Sequence, residues 1–405
     1  MNRERARDVG SASLHQAADD GATSPQGVLA AVASATRLRE GPEGVRSILR
    51  AIARGGEVTT RQIAVQVRLP LPVVAAVRGE LTAVGFLERR PHGARLSGRG
   101  ERLVQALFGG EASSAAREGT AHDDEMAAFA DLLAPTVTAR PEADVTLDQA
   151  KATPLTLARR IVYLDGNDAI AGRRILFLGD DDFLSAALVH WVLWQRERGR
   201  RAEPFRLVVA DVDERILRQL RAVAPSVEAV RYDARDALPD DLVGSFDVVI
   251  TDPPYTLHGA ELFLSRAVDA VGGKPGAHSF FSFGHLDPMA MRSVQSALAE
   301  MGWVIVEWRP GFNEYEGSSV LAGVSLMAHL VLAEGAAPVI RGRYDGPLYT
   351  GDLRPTVRVY RCQGCSAVWE VGQGARWLTV AQLKRQTCPL CGADRFLRVG
   401  QRPLA

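Results

Sequence analysis

Apolar residues in the middle of the chain occur in short runs separated by amphipathic segments. Two runs, ILFLG (175–179) and FDVVITDPP (246–254), predict buried strands, and LSAALVHWVLWQRERG after the first run has the spacing of a helix. FRLVVADVD (205–213) and HSFFSFGH repeat this alternation, which is typical of a mostly parallel, doubly wound sheet. The last two runs, GWVIVEWRP and VSLMAHLVLAEG, predict a closing antiparallel pair.

Methyltransferase-type Rossmann domains add such a hairpin to a parallel sheet, so the predicted α/β domain over residues 141–335 is of this type. The polar, aperiodic residues 1–25 predict a disordered tail. Residues 26–108 predict a winged helix-turn-helix domain, and the acidic, Ala-rich residues 109–140 predict a linker with one helix. Residues 336–405 form a tail that carries all four cysteines.

The winged-helix prediction rests on the order of elements. GVRSILRAIARGG (44–56), TTRQIAVQVRLP (59–70) and the helix within LPVVAAVRGELTAVGFLERR (71–90) are followed by a short strand and a turn. The third helix would enter the major groove of DNA, but it is mostly Val, Ala and Leu and offers few groups that read bases. Dimerisation or protein contact through this domain is the alternative, and the sequence leaves both open.

Composition limits the partners and the compartment. The 405 residues include 48 basic and 48 acidic side chains, so a net charge of zero leaves a nucleic-acid partner open but does not favour it. The sequence has no run of about 18 apolar residues, so we expect no membrane contact. The first 25 residues lack the apolar core of a secretion signal, so we expect a cytoplasmic protein.

Aspartates follow several of the predicted strands. Because ligands of doubly wound sheets bind beyond the carboxyl ends of the strands, these side chains are expected to share one rim. Two have a local explanation, since Asp182 and Asp213 precede predicted helices and could act as N-caps. The others would repel one another unless a cation meets them, so the rim predicts a cationic ligand. The rim residues are Asp180, Asp181, Asp182, Asp211, Asp213, Asp233 and Asp252.

The second and third strand ends predict a nucleoside site. Asp211 lies where Rossmann folds place a carboxylate that accepts hydrogen bonds from both ribose hydroxyls. Asp233 is expected to accept a hydrogen bond from an adenine amino group. The sequence has no G-x-G-x-x-G loop for a pyrophosphate. A sulfonium nucleoside, which is positively charged and carries no phosphate, therefore fits better than a dinucleotide.

The fourth strand ends in Asp252-Pro253-Pro254-Tyr255, which resembles the catalytic motif of methyltransferases that act on exocyclic amino groups. In those enzymes the motif orients an amine beside the sulfonium methyl. The prolines fix the backbone so that the carboxylate and the ring face the transfer site. The implied chemistry is attack of a nitrogen on a carbon bound to sulfonium sulfur, helped by proximity.

A wider resemblance includes four stretches: FLGDDDFLS, VADVDERIL, DALPDDLVGSFDVVITDPPYT and DQAKATPLTLARRIVYL. Over residues 140–330 they are similar to the branched-chain polyamine synthases, also called N4-bis(aminopropyl)spermidine synthases. The GDDD and DPP-x-T loops of that family are both intact. The resemblance implies transfer of an aminopropyl group from the co-substrate decarboxylated S-adenosylmethionine to a polyamine such as spermidine, with release of methylthioadenosine.

The resemblance also implies roles for the site residues. Gly179–Asp182 would hold the aminopropyl and amine ends of the substrates. Asp252 would be the catalytic base that takes the acceptor's proton, and Tyr255 would stack on or orient the amine. The segment 311–320 would close over the acceptor, although a charged surface hairpin explains it equally well. The substrate-binding candidates are Pro253, Pro254, Glu314, Tyr315 and Glu316.

The cysteines form two Cys-x-x-Cys pairs, Cys362/Cys365 and Cys388/Cys391, separated by 22 residues. This spacing is typical of a zinc ribbon, in which four thiolates hold a structural Zn²⁺ and leave no position open for catalysis. Four unmetallated thiols in a surface tail are the alternative.

Two other functions stay open on the sequence. The DPPY motif, winged helix and zinc ribbon would also suit an S-adenosylmethionine-dependent methyltransferase acting on amino groups of DNA or RNA, although the acidic rim would repel phosphates. A degenerate enzyme domain that senses polyamines is the non-enzymatic alternative, against which the intact Asp252 motif counts. We expect a homodimer, but the sequence does not show an interface.

Overall fold

A computed structural model describes residues 24–109, 120–200, 203–316, 323–353, 356–372, 375–377 and 380–403. The predicted disordered tail, residues 1–25, therefore lies outside the described residues except for residues 24 and 25. Residues 110–119 of the predicted linker and 317–320 of the segment 311–320 also lie outside them. Within the described part, the chain forms no helix that is both long enough and apolar enough to cross a membrane.

The N-terminal module contains helices and a two-stranded hairpin in the predicted order. A capping box starts its third helix, because the Thr59 hydroxyl accepts from the N–H of Gln62 while the Gln62 side chain accepts from the N–H of Thr59. The winged-helix class stays a prediction. The elements are α1 (Pro25–Thr36), α2 (Gly41–Gly55), α3 (Thr60–Val67), α4 (Leu71–Ala83), β1 (Leu87–Arg90), β2 (Gly93–Leu96) and α5 (Gly98–Phe108).

The central domain is the predicted α/β domain, built on an eight-stranded mixed sheet of order β3-β9-β10-β8-β7-β4-β5-β6. Strands β4 to β8 are parallel to one another, whereas β10 is antiparallel to both β8 and β9. The elements are α6 (Thr120–Thr138), β3 (Lys151–Ala152), α7 (Pro154–Gly166), β4 (Arg174–Leu178), α8 (Leu184–Glu197), β5 (Arg206–Asp211), α9 (Glu214–Val223), β6 (Glu228–Arg231), β7 (Val248–Thr251), α10 (Leu257–Val271), β8 (His278–Gly284), α11 (Pro288–Glu300), β9 (Trp303–Glu316) and β10 (Val324–Leu332).

Each face of the sheet packs against its own hydrophobic core. Side chains alternate along β4, so that Ile175 and Phe177 join one core while Leu176 and Leu178 join the other. Helices α6 to α9 cover the first face, and α10 and α11 cover the second. Because both faces are buried, the central parts of β4, β5 and β7 are apolar, as their sequences predicted.

The segments next to the predicted domain boundaries also belong to this core. Phe129 and Leu133 of α6, within the segment interpreted as a linker, are completely buried on the first face. On the other face, Leu348 is 1% exposed and Tyr349 packs against the same core, although both lie in the segment interpreted as the tail. The segments 125–140 and 336–349 thus help to build the domain that holds the site.

A buried ion network joins the N-terminal module to the central domain. Asp168, in the loop before β4, pairs with Arg46 (3.6 Å), Arg50 and Arg173 (3.1 Å). Arg173 also pairs with Glu43 of α2. Because a buried charge that loses its partner is strongly destabilising, this network fixes the module against the domain.

The C-terminal segment forms a small three-stranded antiparallel sheet of order β12-β11-β13. Tyr360, Val371, Trp377 and Leu383 form its separate small core. The elements are α12 (Thr350–Leu353), β11 (Thr356–Cys362), β12 (Val368–Val371), α13 (Val380–Gln386) and β13 (Phe396–Pro403).

Candidate active site

The carboxyl ends of β4, β5 and β7 lie at one edge, because these strands are parallel neighbours in the sheet. The loops that follow them carry most of the predicted rim. Gly179 turns the chain directly after β4 with a φ of 77°, a left-handed conformation that glycine adopts easily. The N–H of Asp180 then donates to Oδ2 of Asp211 at 2.9 Å. The first two loops of the rim are therefore in contact.

Asp180, not Asp182, caps helix α8. Its carboxylate accepts hydrogen bonds from the N–H of Leu184 (2.8 Å) and from the N–H and hydroxyl of Ser185. Asp180 is 3% exposed, and burial raises its pKa well above the ordinary value. The hypothesis that Asp182 is the cap is wrong, because the N-cap position belongs to Phe183 in a left-handed conformation and Asp182 is bonded elsewhere.

Two buried arginines hold Asp182. Nη1 of Arg160 donates to Oδ2 of Asp182 at 3.0 Å, and Nη1 of Arg140 lies 3.5 Å from Oδ1. The N–H of Ala152 also donates to Oδ1, at 2.5 Å. Burial raises the pKa of Asp182, while the positive charge of Arg160 opposes that rise. Asp182 therefore ties the GDDD loop to α7 and β3.

Arg160 of α7 connects the GDDD loop with the loop after β7 and with β9. Its Nη2 donates to Oδ2 of Asp252 (3.0 Å) and to the hydroxyl of Tyr315 (2.7 Å), and its Nε donates to Oδ1 of Asn313 (2.7 Å). The Tyr315 hydroxyl in turn donates to Asp252 at 2.5 Å. Although burial acts against the charge, Tyr315, Asp252 and Asp182 raise the pKa of Arg160 above its ordinary value.

Asp181 and Asp252 each keep one oxygen for a ligand. Oδ2 of Asp181 accepts from the N–H of Ala150 at 3.0 Å, and Oδ2 of Asp252 belongs to the Arg160 network. Neither Oδ1 has a hydrogen-bond partner among the described residues. Burial raises the pKa of Asp181 well above its ordinary value, and neighbouring carboxylates, chiefly Asp182, raise it further. The pair can bind a cationic amine.

The loop after β7 is fixed by its prolines and by the start of α10. Pro253 and Pro254 are buried, and the Thr256 hydroxyl caps α10 by accepting from the N–H of Gly259 at 2.8 Å. A Cβ at Gly259 would lie 2.2 Å from the carbonyl oxygen of Pro254. Only glycine therefore lets the helix approach the loop this closely.

Tyr255 lies between the loop and β8. Its ring makes an edge contact with Phe283, with 5.4 Å between centroids, and its hydroxyl donates to that of Tyr315 at 3.1 Å. A Cβ at Gly284 would lie 2.4 Å from Cδ2 of Tyr255, so the glycine makes room for the ring. The structure thus brings Tyr255 and Asp252 into one hydrogen-bonded group through Tyr315.

The predicted nucleoside residues lie on the other side of the rim. Asp211 also accepts from the N–H of Asp213 at 2.8 Å, and burial raises its pKa. Asp213 caps α9, as expected, by accepting from the N–H of Arg215. Burial acts to raise the pKa of Asp213, but its hydrogen bonds, first with Arg215, bring it below the ordinary value. Asp233 accepts from the N–H of Arg235 at 3.0 Å.

The segment 311–316 contributes alternate residues to the site. Side chains point to opposite faces along a strand, so Asn313 and Tyr315 reach Arg160 while Glu314 and Glu316 are exposed. Of the exposed pair, Glu314 lies 3.9 Å from Arg159. Tyr315 is therefore part of the hydrogen-bonded centre, whereas the two glutamates lie outside it.

Sequence reasoning missed both arginines of the site. One signal could have found the arginines: a rim of this many aspartates needs positive charges nearby. A second signal was available for Arg160. The apolar residues Leu157, Ile161 and Leu164 mark the buried face of α7, and Arg160 lies on that face. Arg140 had no comparable local pattern.

The four cysteines form one cluster. Their sulfur atoms all lie within 4.8 Å of one another, with Cys362 and Cys391 3.5 Å apart and Cys365 and Cys388 3.6 Å apart. Tetrahedral Zn²⁺ with bonds of about 2.3 Å places sulfurs roughly 3.8 Å apart, so the cluster is compatible with a zinc site. Gly364 permits the close turn, since a Cβ there would lie 3.1 Å from the Cys391 sulfur.

Comparisons with known proteins identify the family of the chain. The model of the branched-chain polyamine synthase A C-terminal domain matches residues 131–342, which is more than half of the chain. The chain belongs to this family. It is also 29% identical over 283 residues to the N(4)-bis(aminopropyl)spermidine synthase of Thermococcus kodakarensis, covering 67% of this chain and 77% of that protein.

Similarity extends beyond the matched domain. An uncharacterised protein of Methanocaldococcus jannaschii is 34% identical over 387 residues, covering 92% of this chain and 93% of that protein. Among solved structures, the branched-chain polyamine synthase of Thermus thermophilus, in complex with N4-aminopropylspermidine and 5'-methylthioadenosine, matches with a TM-score of 0.48 and 24% identity. That match covers 81% of this chain and 98% of the other.

We predict that Arg160→Gln lowers the free energy of unfolding by about 3–5 kcal/mol at pH 7, because it leaves buried carboxylates without their counter-charge. Loss of Arg160 also lets the pKa of Asp182 rise further. A carboxyl whose folded pKa is raised becomes more destabilising as pH increases, so the deficit should be smaller at pH 5 than at pH 7. Urea unfolding of the wild type and the variant at both pH values measures the difference in free energy of unfolding.

The control is Arg159→Gln, a change in the neighbouring residue. Arg159 is half-buried and lies 3.9 Å from the exposed Glu314, so we expect a loss of about 1 kcal/mol or less. Equal losses in the two variants, or a pH-independent loss for Arg160→Gln, would contradict the prediction.

Proposed function

We propose that this protein transfers the aminopropyl group of decarboxylated S-adenosylmethionine to an amine nitrogen of a polyamine such as spermidine, giving a branched polyamine and methylthioadenosine. The observation that carries the proposal is the excess of carboxylates over guanidiniums at the rim. Five aspartates meet two arginines there: Asp180, Asp181, Asp182, Asp211 and Asp252 with Arg140 and Arg160.

The charges of both substrates match this rim. Decarboxylation removes the carboxylate of the donor and leaves a sulfonium and a primary ammonium, and the acceptor is a polycation. Ordinary S-adenosylmethionine keeps its carboxylate, which the rim would repel. The name of the Thermococcus kodakarensis relative supports the same reaction. The nucleoside assignments of Asp211 and Asp233 remain part of this proposal.

The reaction forms a nitrogen–carbon bond as the carbon–sulfur bond breaks, and the electron pair of the broken bond goes to sulfur. The product methylthioadenosine is therefore a neutral thioether. The attacking amine must first lose its proton, since a free alkylamine resembles lysine, with a pKa of about 10.4. Carboxylates at the site can bind the ammonium form of the acceptor, and one of them can then take its proton as a general base.

Two carboxylates are suited to different parts of this step. The raised pKa of Asp181 suits it to accept a proton, and its Oδ1 is open to a ligand. Asp252, the base predicted from the sequence, is oriented by Arg160 and Tyr315. We infer that Asp252 holds the amine, with Tyr255 beside it, while Asp181 receives the proton.

The direct test is incubation of the purified protein with spermidine and either decarboxylated or ordinary S-adenosylmethionine. We expect spermidine to gain one aminopropyl mass per addition, with the decarboxylated donor only, because the rim repels the carboxylated one. Mass spectrometry of the products measures this. Methyl transfer from ordinary S-adenosylmethionine to DNA or RNA would instead support the alternative function and overturn the proposal.

Asp181→Asn and Asp252→Asn should each lower kcat by about 10²–10⁴-fold while methylthioadenosine still binds. If Asp181 is the base, kcat of the wild type falls as pH drops through the raised pKa of Asp181, above the usual range of an aspartate. That acid limb should disappear in Asp181→Asn and persist in Asp252→Asn. The pH profiles of the three proteins measure it.

The opposite assignment would follow if the acid limb disappeared only in Asp252→Asn. Turnover unchanged by Asp252→Asn would remove that residue from the mechanism. Asp233→Asn is the matched control, since Asp233 belongs to the proposed adenine side and should affect donor binding more than kcat.

We further propose that the four cysteines hold one structural Zn²⁺. A site closed by four thiolates has no open position, so the metal would stabilise the small C-terminal sheet without entering the reaction. The knuckle geometry fits this role, because the N–H of Gly364 lies 3.3 Å from the sulfur of Cys362 and can stabilise a thiolate.

Metal analysis should find one zinc per chain, and Cys388→Ser should lower that content while aminopropyl transfer by the remaining folded protein continues. Thiol alkylation under native conditions provides the second measurement, since zinc-bound thiolates react slowly. Less than one zinc per chain, together with free alkylation of all four thiols, would contradict the zinc site.

The winged-helix class and the homodimer also remain proposals. The order of elements from α2 to β2 supports the first. Helix α4, which would be the DNA-reading helix, has one basic residue, Arg78, which hydrogen-bonds to Thr60 inside the module. This contact leaves α4 poorly suited to reading DNA. For the homodimer, the exposed Val304 and Val306 on β9 are candidate contacts.

A further inference from the structure

A strap of residues 343–353 follows the last strand of the central sheet and lies beyond residues 131–342, which match the family model. Its end is a short helix, α12. Leu348 of the strap is almost completely buried, and Tyr349 packs partly against the core beneath α10. The strap therefore lies on the central domain and is not part of the C-terminal sheet.

The strap forms hydrogen bonds with three segments of the site. The Thr256 hydroxyl, from the loop after β7, donates to the carbonyl of Leu348 at 2.9 Å. The N–H of Tyr344 donates to the carbonyl of Arg235, the residue whose own N–H binds Asp233. These contacts connect the proposed acceptor side of the rim to the proposed nucleoside side.

The third hydrogen bond joins the strap to residues 148–150, which precede β3. The N–H of Thr350 donates to Oδ2 of Asp148 at 2.7 Å. The next residues of that segment also reach the rim, since Gln149 donates to Asp213 at 3.1 Å and the N–H of Ala150 donates to Asp181. Two chain segments thus meet over the carboxyl edge of the sheet.

Tyr349 contacts Arg235, the residue that donates its N–H to Asp233. Its ring lies over the guanidinium of Arg235, with 5.0 Å to the centroid, and it is only partly buried. Burial raises the pKa of Tyr349 to about 12, although the charge of Arg235 opposes that rise. Because the N–H of Arg235 donates to Asp233, Arg235 connects the ring to the residue assigned to the adenine.

We propose that Tyr349 forms a wall of the nucleoside subsite and positions the adenosine part of the donor. This inference rests on the proposed function for the identity of the nucleoside. A purine base has an apolar face that an aromatic ring covers well, and Asp211 and Asp233 supply the hydrogen-bond acceptors at its edges. The strap would hold the ring in place before the donor binds, and its bond to Thr256 would keep that wall aligned with Asp252.

The test uses Tyr349→Leu and Tyr349→Phe in the full-length protein, with methylthioadenosine binding measured by calorimetry and steady-state kinetics measured with decarboxylated S-adenosylmethionine. Loss of the ring should weaken methylthioadenosine binding and raise the KM for the donor by roughly 10- to 100-fold, with a smaller change in kcat. The phenylalanine variant keeps the ring and should stay within about threefold of the wild type.

Tyr344→Leu is the matched control. Tyr344 lies on the same strap and packs against the same core, but its ring contacts His258 and its hydroxyl donates to the carbonyl of Pro347. We expect it to bind methylthioadenosine as the wild type does. Equal weakening by Tyr344→Leu and Tyr349→Leu would show a purely structural strap and overturn the proposal, as would wild-type binding by Tyr349→Leu.

A second measurement needs no variant. Hydrogen exchange of the amides in residues 343–353 should slow when methylthioadenosine binds the wild-type protein, and unchanged exchange would overturn the proposal. Failure of the proposed function has a different result, namely no aminopropyl transfer by the wild type. If the wild type transfers the aminopropyl group and Tyr349→Leu changes neither methylthioadenosine binding nor the KM for the donor, only the inference about Tyr349 fails.

Discussion

The guanidinium of Arg160 is buried where three parts of the chain meet, and the rest of the site depends on it. One of its nitrogens binds Asp182 of the GDDD loop, another binds Asp252 and Tyr315, and the third binds Asn313. Carboxylates at the ends of parallel strands would otherwise repel one another in a region with little water. One planar guanidinium that donates to several acceptors removes part of that repulsion and fixes the loops at the same time.

Around this centre, the aspartates have different tasks although they look alike in the sequence. Asp180 caps a helix, Asp211 accepts two backbone N–H groups, and Asp182 is bonded to arginines. These bonds satisfy buried polar groups and hold the loops in shape. Asp181 and Asp252 keep an open oxygen each, so the capacity to bind a cation is concentrated at two positions.

The zero net charge hides an uneven distribution along the chain. Residues 110–355 contain 36 acidic and 24 basic residues, whereas residues 356–405 contain 8 basic and 2 acidic ones. The acidic excess therefore belongs to the part that carries the site, and such an excess attracts cations. Composition over the whole chain could not show this, because the two ends balance the middle.

Patterns in the sequence were enough to predict the α/β sheet, the closing hairpin, the rim of aspartates, the four-cysteine site and the family. Apolar periodicity reports burial, and short motifs such as GDDD and DPPY keep their residues together wherever the loops go. The roles within GDDD could not be predicted, because which carboxylate meets the helix N-terminus depends on how the loop turns after Gly179. Arg140 and Arg160 come from distant segments, and the packing of those segments brings them to the rim. Counter-charges are set by long-range packing, which local pattern does not record.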